Sequence, residues 1–297
     1  MANTKYGELI KKLSFINEGP GGYRQGVKMG KDFHGQDIHI QYGTFWAAGR
    51  MGQDTYEPHV HDYDQVLLWM GADADNLLEL GAEAEICLGK ESERHIITSP
   101  TAVSIPRGLP HLPATTIRMD RRHIFMVFSC VPEYKATPVT TDKAPSEIAG
   151  WQSKYKNRIF RVPFKRKGAW SYGPLNPDDA GGVIASINPK DMGFDFHFNY
   201  ESIRKAPYRF GPVPDRPHTH DYDEILLFMG ADCNDLGELG AECEISLGKE
   251  MERHTVTTPT VVALPKGVPH CPLAVNKLHK PFVFWDISLK IASVPPM

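Results

Sequence analysis

The sequence predicts an all-β protein made of two similar barrel domains, one after the other. Residues 58–111 recur as residues 217–270 without a gap, at a constant offset of 159, and 35 of the 54 positions are identical. Short apolar runs alternate with turn signals through both copies. Many short strands with few helical patterns are typical of a barrel or jelly roll, and an ungapped repeat predicts the same strand order in both halves.

The predicted strands come in six pairs. Each pair occupies corresponding places in the two halves: 37–42 and 195–200, 66–70 and 225–229, 85–89 and 244–248, 95–98 and 254–257, 103–105 and 262–264, and 125–128 and 282–285. The first pair alternates apolar and polar residues, as a half-buried strand does. The second pair is apolar throughout, which predicts strands buried on both faces and packing against the other half or another subunit. We therefore expect a homo-oligomer or close contact between the halves.

Length and composition set further limits. A chain of 297 residues can form two cores, and we predict domains at 1–150 and 151–297, with residues 131–168 as linker and entry to the second domain. The formal net charge of −3 gives no general attraction to nucleic acid. No apolar stretch is long enough for a membrane span or signal peptide, so we expect a cytoplasmic protein. None of the cysteines inside the repeat recurs in the other copy, which predicts free thiols.

One set of recurring residues suits a metal site. His218 and His220 are two positions apart and share a face of a strand, and Glu224 joins them if the strand stays regular. His270 follows a Pro-Lys-Gly turn and arrives from a distant strand. Imidazole nitrogens with one carboxylate suit Fe, Mn, Ni, Cu or Zn better than Ca or Mg. We therefore predict a divalent transition metal with open coordination positions.

These motifs also resemble a known family. His-x-His-x-x-x-Glu, a strand ending at Gly230, and Pro-x-Gly-x-x-His ending at His270 resemble the two motifs of the cupin superfamily, and the duplication resembles a bicupin. The resemblance implies two double-stranded β-helix barrels, each able to hold a metal. Beyond these motifs the sequence does not resemble oxalate decarboxylases or uronate isomerases. The implied ligands are His218, His220, Glu224 and His270 in the C-terminal barrel, and His59, His61, Gln65 and His111 in the N-terminal barrel.

The two predicted sites differ at one ligand. Gln65 stands where the second copy has Glu224. A neutral amide is a weaker ligand than a carboxylate and leaves the metal with its full charge. We therefore predict weaker binding in the N-terminal barrel, or a barrel that lost its metal and kept a structural role. The C-terminal barrel is the predicted active one.

Other recurring residues have open roles. Tyr63 and Tyr222 would lie on the ligand face, where they donate a hydrogen bond to substrate or fill the barrel wall. His95 and His254 are interpreted as hydrogen-bonded strand histidines. Cys271 would face away from the metal on a regular strand.

The function predicted from these observations is that of a metalloenzyme acting on a small polar organic molecule. Dioxygenase, isomerase, lyase and decarboxylase reactions all fit the family resemblance. The alternative is a non-catalytic cupin that binds metal and a small ligand, as a sensor or storage protein. Neither a nucleic acid nor a membrane is an expected partner. The sequence assigns no catalytic residue, and the metal and the substrate stay open.

Overall fold

The computed structural model describes residues 4–17, 23–30, 37–51, 56–143, 147–150, 152–166, 183–193, 196–210 and 216–289. Almost all regular structure in these residues is β-strand, so the predicted all-β class is confirmed. The helical segments described are two 3-10 turns, at Gly7–Leu9 and Lys156–Arg158, and the short helix α1 (Pro189–Met192). No helix in the described parts of the chain is long and apolar enough to cross a membrane.

The strands follow one another with short connections. In the first half of the chain they are β1 (Ile10–Lys12), β2 (Tyr23–Met29), β3 (His39–Phe45), β4 (Gly49–Met51), β5 (His59–Val60), β6 (Gln65–Gly71), β7 (Ala82–Leu88), β8 (Glu93–Ile97), β9 (Thr101–Ile105), β10 (His111–Met119), β11 (His123–Ser129) and β12 (Thr137–Pro138). In the second half they are β13 (Ile159–Arg161), β14 (Phe164–Arg166), β15 (Val183–Ile187), β16 (Phe196–Ile203), β17 (Tyr208–Arg209), β18 (Asp223–Gly230), β19 (Ala241–Leu247), β20 (Glu252–Val256), β21 (Thr260–Leu264), β22 (His270–Leu278) and β23 (Phe282–Leu289).

The chain forms two compact units. The N-terminal unit comprises residues 15–72 and 76–162, and the C-terminal unit comprises residues 1–14, 73–75 and 163–297. The predicted boundary at 150/151 follows the sequence repeat, whereas the contacts divide the chain differently. Residues 1–14 belong with the second repeat, and residues 151–162 belong with the first. The units differ from the two repeats because each unit receives a short segment from the other half of the sequence.

The strands that correspond between the two units follow the same order, as the ungapped repeat predicts. In the N-terminal unit, one sheet has the order β13-β9-β6-β11-β3-β2 and the other β12-β5-β10-β7-β8, with β4 beside β10. In the C-terminal unit, the orders are β1-β21-β18-β23-β16-β15-β14 and β17-β22-β19-β20. Every neighbouring pair is antiparallel, which is the arrangement of a jelly roll.

Each unit has an apolar core that draws on both of its sheets. In the N-terminal unit the core includes Trp69 of β6 and Ile86 of β7. In the C-terminal unit it includes Phe228 of β18 and Ile245 of β19. The apolar runs 66–70 and 225–229 are buried along their whole length, as their composition predicts.

Each unit is completed by an edge strand from the other half of the sequence. The strand β1 pairs with β21, and β13 pairs with β9. A Lys-Tyr pair precedes each of these strands, and each pair is held by two glutamates of the unit that receives it. Tyr155 donates a hydrogen bond to Glu91 (2.9 Å), and Glu93 accepts one from the backbone of Lys154 (3.2 Å). The segment predicted as linker therefore supplies two strands of the N-terminal unit, β12 and β13.

The Tyr155 ring packs directly over Gly89, and this contact can be tested. Gly89 has φ +78°, and a Cβ there would lie 2.1 Å from the Tyr155 hydroxyl. Gly108 has nearly the same φ, +77°, and open space around it. We expect Gly108→Ala to cost only the left-handed backbone penalty of about 1–2 kcal/mol. Gly89→Ala should cost about 1–3 kcal/mol more, because Tyr155 must move. Chemical denaturation measures both, and equal losses would contradict the packing of this segment.

Candidate metal centres

Three predicted ligands meet inside the N-terminal unit. His59 on β5 pairs directly with His111 on β10, and their ring centroids are 4.3 Å apart. His61 follows, with its ring centroid 5.1 Å from that of His111. All three residues are buried, and a nitrogen atom from each lies within 4.8 Å of the others. Ligand atoms on one metal lie about 3–4 Å apart when bonds are about 2.0–2.2 Å, so small side-chain movements suffice to bind one ion.

The C-terminal unit repeats this arrangement and adds a carboxylate. His218 pairs with His270 across an isolated bridge, and their ring centroids are 4.4 Å apart. Glu224 Oε2 lies 3.2 Å from His270 Nε2, and Glu224 Oε1 lies 3.8 Å from His220 Nε2. Glu224 and His270 are buried, whereas His218 is exposed. The structure thus brings His220, Glu224 and His270 together, and it places His218 beside His270 in a second group with Cys271.

The ligands do not lie on one regular strand, contrary to the condition placed on Glu224. His59 belongs to the smaller sheet of its unit, and Gln65 begins β6 in the larger sheet. Between them the chain bends at residues 62–63, and it bends equally at residues 221–222 in the second copy. The chain therefore passes from one sheet to the other at the site. Ligands from both sheets face the same interior point because the bend redirects the fourth one.

The histidine rings are oriented by backbone carbonyl groups. In the N-terminal unit, His59 Nδ1 donates to the carbonyl oxygen of Glu57 (2.8 Å) and His61 Nδ1 donates to that of Lys135 (2.5 Å). In the C-terminal unit, His270 Nδ1 donates to the carbonyl oxygen of Val268 (3.2 Å). A proton on Nδ1 leaves the Nε2 lone pair free, which is the usual arrangement of a metal-binding histidine.

Burial keeps these imidazoles neutral. It lowers the pKa of His61 and of His270 to about 4, and it lowers the pKa of His111 well below its usual value. Neutral imidazole is the form that binds metals. His61 Nε2 is buried with no hydrogen-bond partner among the described residues. Such an uncompensated acceptor and its neighbours fit a divalent transition ion.

A second carboxyl group, missed in the sequence, lies beside Glu224. It belongs to Asp286 of β23, and Asn199 Nδ2 donates to its Oδ2 atom (3.2 Å). Burial and the negative charge of Asp286 raise the pKa of Glu224 well above its usual range. A proton on Glu224 lets the two carboxyl groups hydrogen-bond to each other. The available signal was a single acidic residue in the apolar run 282–289.

The N-terminal unit has neither carboxyl group. Gln65 occupies the position of Glu224, and Val127 occupies that of Asp286, because Val127 pairs with Leu67 as Asp286 pairs with Leu226. Gln65 Nε2 is buried and has no hydrogen-bond partner in the described part of the chain. The two sites therefore share their imidazoles and differ in charge.

An aromatic ring that recurs in both copies of the repeat supports the histidines. The ring of Tyr63 stacks on His61 with centroids 4.7 Å apart, and the ring of Tyr222 stacks on His220 at 4.6 Å. The Tyr63 hydroxyl donates to the carbonyl oxygen of Lys135 (3.2 Å). Both tyrosines thus contribute to the wall of their site, which was one of the two predicted roles.

His95 and His254 lie apart from the metal clusters and contact glutamates on their own strands. His95 Nε2 is 2.9 Å from Glu93 Oε1, and His254 Nε2 is 2.8 Å from Glu252 Oε1. The same two glutamates accept hydrogen bonds from the exchanged Lys-Tyr segments. These histidines therefore belong to the structure that holds the edge strands.

The prediction for Cys271 was wrong. Its Sγ atom lies within 4.8 Å of ligand atoms of His218 and His270. The strand is irregular here, because Cys271 has φ +78° and the pairing of β22 with β19 shifts register beside it. Burial and the charge of Glu224 raise the pKa of the Cys271 thiol to about 12. Cys271 therefore remains a protonated thiol near the site.

Comparison with known proteins gives the fold. No family model and no curated protein sequence matches the chain. A Bacillus subtilis oxalate decarboxylase structure, from work on its Mn(II) centres, superposes with a TM-score of 0.60 at 10% identity, covering 96% of this chain and 78% of that chain. A point mutant of that enzyme gives 0.60 at 9% identity, with the same coverage. A structure from work on the substrate binding mode of oxalate decarboxylase gives 0.60 at 10% identity.

These proteins are bicupins, and identity this low establishes a common fold rather than a common reaction. The chain therefore shares the fold of these structures, with two jelly-roll barrels that each bring three histidines close together.

Proposed function

We propose that this protein is a metal-dependent bicupin enzyme that acts on a small polar organic substrate in its C-terminal unit. The observation that carries the proposal is the difference between two otherwise similar sites. Only the C-terminal unit combines its histidines with the carboxyl groups of Glu224 and Asp286. A duplicated site that keeps a buried carboxyl group with a raised pKa beside a second carboxyl group in one copy, and lacks both in the other, is consistent with chemistry in the first.

His218, His220, Glu224 and His270 would hold the metal. When bound, a divalent transition metal supplies Lewis-acid polarisation of a substrate oxygen, and an iron ion also supplies redox chemistry. Glu224 binds a metal in its ionised form, which leaves Asp286 as the carboxyl group able to give or take a proton. Asn199 fixes one of its oxygen atoms, so the other is free for substrate.

Isomerase, lyase and decarboxylase reactions all need such a proton donor or acceptor, whereas a dioxygenase needs a redox-active metal. Metal analysis of the full chain, purified without added metal, tests the choice between these reaction types. Oxalate, the compound named for the structural neighbours, is the first substrate to assay. Carbon dioxide release would favour a decarboxylase, and oxygen consumption would favour a dioxygenase. A C-terminal unit that binds no metal would contradict the proposal.

For the N-terminal unit we propose a site that binds metal without catalysis, whereas the alternative predicted from the sequence extends this role to the whole protein. Its lack of both carboxyl groups supports this role. The expected homo-oligomer and the cytoplasmic location stay predictions.

The proposed role of Asp286 leads to a specific result. Asp286→Asn keeps the shape of the side chain and removes its ability to transfer a proton. We expect kcat to fall by about 10²–10⁴-fold, the usual contribution of a general acid or base. Metal content should stay unchanged, because Asp286 is not a ligand in this assignment. Unchanged kcat, or loss of metal together with activity, would contradict the role.

A further inference from the structure

A tyrosine outside the predicted ligand set lies at the N-terminal histidine cluster. The hydroxyl oxygen of Tyr134 is 3.2 Å from His59 Nε2. The Tyr134 ring centroid is 5.1 Å from that of His61. His59 Nδ1 already donates to a backbone carbonyl, so His59 Nε2 is the acceptor and the tyrosine hydroxyl donates. The hydroxyl therefore contacts the nitrogen atom that faces the metal position.

The residues that follow Tyr134 in the chain hold it in place. The next residue, Lys135, donates its backbone N–H to the Tyr63 hydroxyl (2.9 Å) and accepts from His61 Nδ1 (2.5 Å). A few residues later, β12 pairs with β5, with Pro138 opposite His59. All three contacts involve residues of the site itself, namely Tyr63, His61 and His59. The position of Tyr134 is thus fixed by the same framework that fixes the histidines.

The distance suits a ligand of the same ion. Two atoms bound to one metal at right angles, with bonds of about 2.0–2.2 Å, lie about 3 Å apart. In the C-terminal unit the predicted ligand pair Glu224 Oε2 and His270 Nε2 is separated by 3.2 Å. Tyr134 and His59 show the same separation. The Tyr134 oxygen therefore lies at the same distance from His59 Nε2 as the Glu224 oxygen lies from His270 Nε2 in the other unit.

The charge of the N-terminal site gives an independent reason to expect Tyr134 as a ligand. Its three imidazoles are buried and neutral, and Gln65 replaces the carboxylate. An anionic ligand stabilises a buried dication more than a neutral amide does, because it offsets part of the desolvated charge. A tyrosine that loses its proton supplies that negative charge. In the C-terminal half, Glu224 supplies it, and the residues that follow the last strand, 290–297, include no tyrosine.

We infer that Tyr134 is a ligand of the N-terminal metal and binds it through its phenolate oxygen. The phenolic O–H bond breaks, the proton passes to solvent and an oxygen–metal bond forms, with no change in oxidation state. The inference rests on the proposed metal binding. It assigns to the N-terminal unit an anionic ligand that replaces the carboxylate absent at Gln65.

Ferric iron is the probe that tests it, because iron(III) phenolates absorb visible light by charge transfer. The full-length protein is loaded with ferric iron, and its visible spectrum and iron content are measured. We expect two irons per chain, a charge-transfer band and tyrosinate vibrations in the resonance Raman spectrum. Tyr134→Phe should abolish the band and weaken N-terminal binding by more than about tenfold, since loss of even an outer-shell partner costs 10–100-fold. Tyr222→Phe, the matched control beside His220, should keep the band.

Each result decides the matter. A band that survives in Tyr134→Phe, or a wild-type protein with two irons and no band, would overturn the inference alone. A protein that binds neither ferric iron nor any divalent metal would overturn the proposed function as well. Circular dichroism and thermal unfolding of both variants show that the fold is intact, since each substitution removes one hydroxyl group.

Discussion

Glu224→Gln is expected to lower the metal affinity of the C-terminal unit by at least about tenfold and to remove most of its activity. The substitution keeps the size of the side chain and removes the carboxylate that lies 3.2 Å from His270 Nε2. It also replaces the carboxyl group beside Asp286 with an amide. The effect combines a lost anionic ligand with a disturbed proton donor, so both binding and turnover should fall.

The matched experiment is the reverse change in the other unit. Gln65→Glu restores a carboxylate beside three imidazoles and should strengthen N-terminal binding. Calorimetric titration of the full chain with manganese resolves the two binding steps, and each variant identifies the step that belongs to its unit. Equal affinity of the two sites in the Tyr134→Phe protein would contradict the effect of the Gln65 difference, because that variant lacks the tyrosine oxygen inferred to supply the missing charge. An unaltered strong step in Glu224→Gln would exclude Glu224 as a ligand.

The fold and the gathered histidines were predictable because the repeat carries their physical signals. Periodicity, turn residues and the spacing of His218 and His220 all lie inside the ungapped 54 residues. The bend that brings Glu224 to the site was not predictable, since regular strand geometry places the same residue on the ligand face. A regular strand and a bent one both place Glu224 beside the histidines, and only the structure shows which of them the chain adopts.

The residues that were missed lie outside the repeat. Asp286 corresponds to Val127 only once the last strands are paired with β18 and β6. Tyr134 lies in the polar segment predicted as linker, and its position depends on pairing with β5. The Lys-Tyr pairs at Tyr6 and Tyr155 recur at an offset different from that of the repeat. Their contacts depend on tertiary structure, for which short polar segments carry no periodic signal.

A buried histidine away from both sites leads to the second large effect. His123 has no exposed surface, and neither ring nitrogen has a hydrogen-bond partner among the described residues. Its ring stacks on Phe45 with centroids 5.4 Å apart. The equivalent residue of the C-terminal unit is Phe282, which is also fully buried. His123→Phe therefore introduces the residue that the other copy already has, and it removes two unsatisfied polar atoms worth about 1–3 kcal/mol.

The gain in stability should depend on pH. Burial lowers the pKa of His123 to about 4, whereas an unfolded histidine titrates near 6.5. Because the folded pKa is the lower one, the unfolded chain binds a proton at His123 more readily than the folded chain does. The wild-type protein therefore keeps its full stability above about pH 6.5 and loses stability as the pH falls toward 4. At about pH 5 the wild-type protein should have lost about 2 kcal/mol that the phenylalanine variant keeps.

Urea denaturation of the metal-free protein at about pH 8 and about pH 5 measures this difference. Tryptophan fluorescence follows the unfolding, and Trp69 in the core of the same unit contributes to it. All other titrating groups are common to both proteins, so the change in their stability difference with pH isolates His123. His123→Leu, with a smaller side chain, keeps the comparison valid if a phenyl ring crowds Phe45. A stability difference that stays constant between the two pH values would mean that His123 is not held neutral in the fold.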